Sequence, residues 1–182
     1  MSSHPVVIAD YDPTWPQAFA AEAARIVSVC PTDAAVEHIG STAVPGLAAK
    51  PVLDVLVGVR ALEPEGAACV RGLVAAGYRY RPDFEAVMPH RRYLTRDAAD
   101  GTRIANIHLV RHGDPMWSAT LAFRDALRTD PFLRAGYEAA KRSAAATAPN
   151  DVHAYNDAKG PFIAEALAVL GMPPASPGPG RR

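Results

Sequence analysis

Gly40 and Ser41 end an apolar segment, and an acid, Asp54, stands inside the run PVLDVLVGV at 51–59. Glycine lets a backbone come close to a guest, and the serine adds an N–H and a hydroxyl, a combination suited to holding an anion at a turn. A carboxylate set among Val and Leu loses most of its hydration, so it needs a cation, a donor or a functional reason to be there. Lys50 lies between the two features. It either clamps a phosphate as a point charge or snorkels from a strand edge. The chemistry these types and spacings offer is phosphate binding beside a carboxylate.

Three familiar phosphate and nucleophile motifs do not fit. In a Walker A loop the lysine follows its glycine directly, whereas Lys50 comes well after Gly46 and precedes Pro51. No strand is followed by GxGxxG, and there is no GxSxG elbow. A Gly-Ser pair followed, one loop later, by an acid on a strand is instead similar to the site outline of polymerase-beta-like nucleotidyltransferases. There the serine holds the triphosphate, and carboxylates hold Mg²⁺ between the phosphates and the attacking hydroxyl.

The elements that must position these residues follow from periodicity. AAVEHIG (34–40) and PVLDVLVGV (51–59) read as strands on either side of the loop, and RRYLTR (91–96) with TRIANIHLV (102–110) reads as a hairpin around DAADG. Alternation places Val52, Asp54, Leu56 and Gly58 on one side of their strand, and Ile104, Asn106, His108 and Val110 together on theirs. Asp54, Asn106 and His108 meet if these strands are neighbours. PVVIA (5–9) reads as a short edge strand. Phe19, Ala23, Ile26 and Cys30 mark the stripe of a first helix, and a second runs from Glu63-Pro64 to Gly77. Asp114-Pro115, Asp130-Pro131 and Asn150-Asp151 each open a later helix, and Gly160-Pro161 is expected to kink or break the last one. Strands first and helices last imply an α+β domain, a small mixed sheet packed against helices with a helical C-terminal part.

Composition narrows the function classes. The 182 residues, 49% of them apolar, are enough for one domain with a real core. The chain carries 19 basic and 19 acidic residues and no net charge, which argues against nucleic acid or an anionic bilayer as partner and makes any anion binding local. No stretch reaches the roughly 20 apolar residues of a membrane helix, and the N-terminus lacks a signal-like pattern, so the expected location is the cytoplasm. Cys30 and Cys69 sit in apolar windows without metal-ligand spacing and read as small hydrophobes rather than a disulfide. Residues 1–171 are expected to form the domain, and 172–182 a disordered tail.

The segments YDPTWPQAF, VEHIGSTAVPGLAAKPVLDVLV, RRYL, NIHLV, LAFRDALR, YEAAKR and DVHAYNDAKGPFI resemble the GrpB family, nearly end to end. That family belongs to the nucleotidyltransferase superfamily, and some of its members are fused to dephospho-coenzyme A kinase. The resemblance implies a nucleotidyltransferase-like fold, an NTP as substrate or ligand, a divalent metal, Mg²⁺ or Mn²⁺, and a small phosphorylated molecule as partner. The best enzymatic reading is transfer of a nucleotidyl group from an NTP to a small acceptor, with Asp54 as the catalytic carboxylate. The competing reading is a non-catalytic module that binds a nucleotide or phosphorylated metabolite.

The chain departs from the superfamily pattern at one point. Two residues after Asp54, where a second acid is usual, stands Leu56, and the later strand offers Asn106 and His108 instead of an acid. Mg²⁺ wants hard oxygen ligands, so one carboxylate is thin support for a two-metal site. Three accounts remain: a metal site of Asp54, His108 and His38; Asp54 as a general base; or a pocket that binds without chemistry. Gly40, Ser41, Thr42 and Lys50 are the expected nucleotide cradle. Arg91, Arg92, Arg124, Arg128, Lys141 and Lys159 all fall within the resembling segments and are candidate phosphate ligands, Arg92 and Arg124 first.

Overall fold

The computed structural model describes residues 5–173. Five strands form one mixed sheet in the order β1-β2-β5-β4-β3: β1 Ala35–Ile39, β2 Leu53–Val59, β3 Arg79–Tyr80, β4 Arg91–Asp97 and β5 Arg103–Arg111. The central strands β2 and β5 run parallel, and the other pairs are antiparallel. This explains the near-continuous apolar run of β2, which is covered on both faces.

One face carries Leu53, Val55, Val57, Val59, Leu94, Ala105, Ile107 and Leu109, packed against α1 Trp15–Val27 and α2 Ala67–Ala75 through Trp15, Ile26, Val70 and Leu73. On the other face Leu56, Ile39 and Val110 meet Trp117 of α3 Pro115–Thr129. Gly58 makes this contact possible, since a methyl group there would stand 2.7 Å from the indole. Two more helices, α4 Pro131–Thr147 and α5 Val152–Val169, pack on the turn after β1, where Val44 and Leu47 meet Leu127, Tyr137 and Phe162. Asp114, Asp130 and Asp151 each accept backbone N–H bonds at the start of α3, α4 and α5, as their positions predict.

α1 is tied to the β3–β4 end of the sheet by a buried polar knot. Glu22, 2% exposed, accepts from the Tyr78 hydroxyl at 2.7 Å and from Arg96 Nε at 2.9 Å. Removing one partner of such a pair leaves the other charge buried, so Glu22→Ala is expected to lose about 3–5 kcal/mol in urea unfolding. A loss below about 1 kcal/mol would show that the knot adds nothing.

Three expectations are corrected. PVVIA forms no strand: only Ala9 bridges, to Ala49, while Val6 packs against Ala144, Ala148 and Tyr155. Pro161 does not break the last helix, which runs through it as α5. Pro161 and Asp157, the residue whose carbonyl loses its helical partner, are both exposed, so water can satisfy that oxygen. Cys30 and Cys69 are joined as a disulfide, because α1 and α2 lie on the same sheet face and bring their Cα atoms to 4.3 Å. Among the described residues no helix is long and apolar enough to cross a membrane. The expected tail lies, from residue 174 on, outside the described residues.

Candidate functional site

β2 and β5 are neighbours, and their register sets Asp54 opposite Asn106 and Leu56 opposite His108. Asp54, Asn106 and His108 therefore share a face, as alternation requires once the strands are adjacent. Asn106 Nδ2 donates to Asp54 Oδ1 at 2.9 Å. His108 Nε2 lies 3.8 Å from the same oxygen, too far for a hydrogen bond but close enough to act on its charge. Oδ2 has no hydrogen-bond partner among the described residues and lies over Gly40, where a methyl group would stand 2.6 Å from it. The side chain is 34% exposed. Burial pushes the Asp54 carboxyl up, but His108, Asn106 and Lys159 outweigh it and hold the group below its ordinary value. Asp54 is thus a stable anion at neutral pH and a weak base.

Gly40 takes φ 70° and ψ −171°, an essentially glycine-only conformation, before the short 3-10 turn Ser41–Ala43. The turn folds back against β2 and α4. There Tyr137, pushed up by burial, is held back by the neighbouring Ser41 hydroxyl. Cations approach from the same side. Lys50 and Lys159 both lie against the Tyr155 ring, at 5.7 and 4.6 Å from its centroid, and both are within electrostatic reach of Asp54. Burial lowers the Lys50 pKa. Lys141, 1% exposed, donates to the Ala48 carbonyl and sits 5.0 Å from the Tyr137 ring centroid. Burial, with Lys159 nearby, lowers its pKa to about 7.

On the β4 side, Arg91 Nη1 lies 3.1 Å from His108 Nδ1. A guanidinium can only donate, so Nδ1 accepts and the proton of the neutral ring sits on Nε2, toward Asp54. Burial lowers the His108 pKa, with Asp54 opposing, which keeps the ring neutral at pH 7. Tyr93 donates to Asn106 Oδ1 at 2.9 Å, and Arg103 Nη1 reaches the same oxygen at 3.1 Å.

The structure therefore brings together Gly40, Ser41, Lys50, Asp54, Arg91, His108 and Lys159, with Lys141 packed beneath. Five expected residues sit elsewhere. Arg92 is one position from Arg91 and so faces the other side of the sheet, bound to Glu85 at 3.2 Å and to the Pro89 carbonyl at 3.0 Å. His38 pairs with Val55, not Asp54, and also faces away. It stacks on Phe19 at 4.5 Å and meets the Thr42 hydroxyl at 3.0 Å, and burial lowers its pKa to about 4. Arg124 braces α3 to β1 through Glu37 and the His38 carbonyl, and Arg128 Nε donates to the Ala43 carbonyl at 3.0 Å. Thr42, Arg124 and Arg128 line a separate cleft of about 310 Å³ at the β1 edge. Tyr93, Arg103, Tyr137 and Tyr155 were not among the expected site residues. Alternation from Arg91 points to Tyr93, whereas Arg103 lies on the opposite parity of β5 and reaches Asn106 from the strand's start.

The residues present do not make a resident metal centre. Asp54 supplies one free carboxylate oxygen, His108 has one ring nitrogen on Arg91 and a proton on the other, and Leu56 is fully buried among Ile39, Val110 and Trp117. Among the described residues no three His, Cys, Asp or Glu side chains are grouped to hold an ion.

The chain matches the GrpB protein family over residues 5–168. It belongs to that family. A UPF0157 protein of Streptomyces coelicolor is 36% identical over 156 residues, covering 86% of this chain and 79% of that protein. A protein named dephospho-CoA kinase from Mycolicibacterium paratuberculosis is 34% identical, but the match covers 89% of this chain and only 45% of the kinase. Among solved structures, the GrpB protein of Enterococcus faecalis superposes with a TM-score of 0.76 at 31% identity, over 91% of this chain and 99% of that one. Terminal uridylyl transferase 4 from Trypanosoma brucei, solved with dUTP, gives 0.53 at 12% identity over 93% of this chain and 59% of its own, a likeness of fold. This GrpB chain has the α+β nucleotidyltransferase fold.

Proposed function

We propose that this GrpB protein transfers a nucleotidyl group from an NTP to a small acceptor. The observation that carries the reading is the free Oδ2 of Asp54, facing the Gly40-Ser41 turn with Lys50 and Lys159 close by. Ser41 and the two lysines hold the triphosphate, with Lys141 behind them adding positive charge. The acceptor's hydroxyl oxygen forms a bond to the α-phosphorus, the bond from that phosphorus to the leaving pyrophosphate breaks, and the hydroxyl proton passes to solvent. The cations steady the charge that gathers on the leaving group. Mg²⁺ or Mn²⁺ would enter with the nucleotide, neutralising phosphate charge, and Asp54 would be the carboxylate available to it. On this reading the reaction is a cytoplasmic one, where an NTP donor is at hand.

Leu56 favours a second reading. A buried leucine in the second-acid position suits a module that binds a nucleotide or phosphorylated metabolite without turning it over. One experiment separates the two. Incubation with each labelled NTP, Mg²⁺ or Mn²⁺ and a metabolite extract is expected to release pyrophosphate, and Asp54→Asn to cut the rate by about 100-fold or more. Saturable binding with no release selects the module. Neither binding nor release would sink both.

A further inference from the structure

Arg91 is the one arginine among the described residues that is more than nine-tenths buried. Other partly buried arginines have acids: Arg92 has Glu85, Arg96 has Glu22, Arg103 has Asp97 and Arg124 has Glu37. No carboxylate among the described residues pairs with Arg91. Its contacts are the His108 ring at Nη1 and the face of Tyr93, 5.0 Å from the centroid, and its Nε is buried without a partner. A guanidinium stays protonated, so this is a charge taken out of water with a donor unused and no counter-charge, an arrangement that an incoming anion would repair.

Its place says what that anion belongs to. Asp54 has the Gly40-Ser41 turn on its β1 side, with Lys50 and Lys159 in electrostatic reach, and in the reading above the triphosphate lies among these three. On the β4 side stand Asn106, His108, Tyr93 and Arg91, with Arg91 one imidazole away from the carboxylate. Of the acids nearby, Asp97 is held by Arg103, and Glu85 by Arg92 and Tyr80. A cationic acceptor would meet uncompensated positive charge there. We propose that Arg91 anchors a phosphate or carboxylate group of the acceptor, whose hydroxyl is thereby held beside Asp54. The identity of the guest as acceptor rests on the transfer reading; the anion site itself does not.

Arginine side-chain ¹H–¹⁵N spectra of the full chain test it. A buried Nε–H exchanges slowly, and Arg91→Gln, or Arg91→Lys should the first not fold, assigns its cross-peak by removing it. Titrations with inorganic phosphate and with acetate are expected to move that peak saturably in at least one arm, which tells a phosphate-bearing acceptor from a carboxylate-bearing one. The movement is expected to persist in Lys159→Met. No saturable movement in either arm, an equal movement with chloride at matched ionic strength, or its disappearance in Lys159→Met would overturn the proposal. The two readings fail separately: saturable movement without pyrophosphate release in any extract leaves the anchor and removes the transfer, and release without movement does the reverse.

Discussion

Gly40→Ala is expected to unfold the site before it tests the chemistry, losing about 3 kcal/mol or more of stability together with all nucleotide-dependent stabilisation. Two costs combine. The backbone at φ 70° and ψ −171° is closed to a β-carbon, worth roughly 1–3 kcal/mol by itself. The added methyl would also stand 2.6 Å from Asp54 Oδ2 and 3.0 Å from its Cβ, so turn and carboxylate cannot both stay where they are. Gly46 provides the control, because it too has a positive φ, 78°, but nothing lies within 4 Å of a methyl there. Gly46→Ala is expected to cost only about 1 kcal/mol, the strain alone, and to keep whatever shift in thermal midpoint NTP gives the natural protein under the proposed reading. Urea unfolding of both variants, with and without NTP, decides it. Equal losses would mean that the close approach of turn and acid contributes nothing.

The same parity that made the site legible also limited what could be read. Alternation correctly grouped Asp54 with Leu56, and Asn106 with His108, because a strand's period of two is a local property of the sequence. It did not say which strands are neighbours or in which register. Hence His38, in the next strand and just before the Gly40-Ser41 turn, was grouped with Asp54, although antiparallel pairing puts Ile39 opposite Asp54 and turns the imidazole to the other face. Arg91 and Arg92 are adjacent in sequence and opposite in space for the same reason, and the register of β4 on β5 chooses between them. The disulfide was hidden by a non-local fact, the packing of two helices on one sheet face. Helical spacing did better: Lys141 over Tyr137 and Lys159 over Tyr155 are neighbours in the fold, as an interval of four demands. Arg124 and Arg128 also share a face, but it borders the β1 edge cleft on the far side of the turn.

Lys141 is the buried charge whose removal should stabilise the protein. Its ammonium is taken out of water with Lys159 near, and its pKa falls from 10.5 to about 7. Above 10.5 the group is neutral in both the folded and the unfolded chain. Between 10.5 and 7 the unfolded chain holds the proton and the folded one does not, so stability drops as pH falls through that window. Below 7 the full penalty is present, on the order of 5 kcal/mol for a shift of this size. Lys141→Met removes the penalty and leaves the Ala48 carbonyl without its donor, a cost of about 1–3 kcal/mol. The variant is therefore expected to be more stable than the natural protein by about 2 kcal/mol at pH 7. At pH 10.5 the order should reverse, because only the lost hydrogen bond remains. Under the transfer reading a triphosphate beside this lysine would favour its protonated form, so NTP affinity of the natural protein should weaken above pH 7 and that of Lys141→Met should not. Urea midpoints of both proteins across this pH range provide the check. A methionine variant less stable at pH 7 would mean that the ammonium is already compensated within the fold, and that no incoming phosphate is needed to account for it.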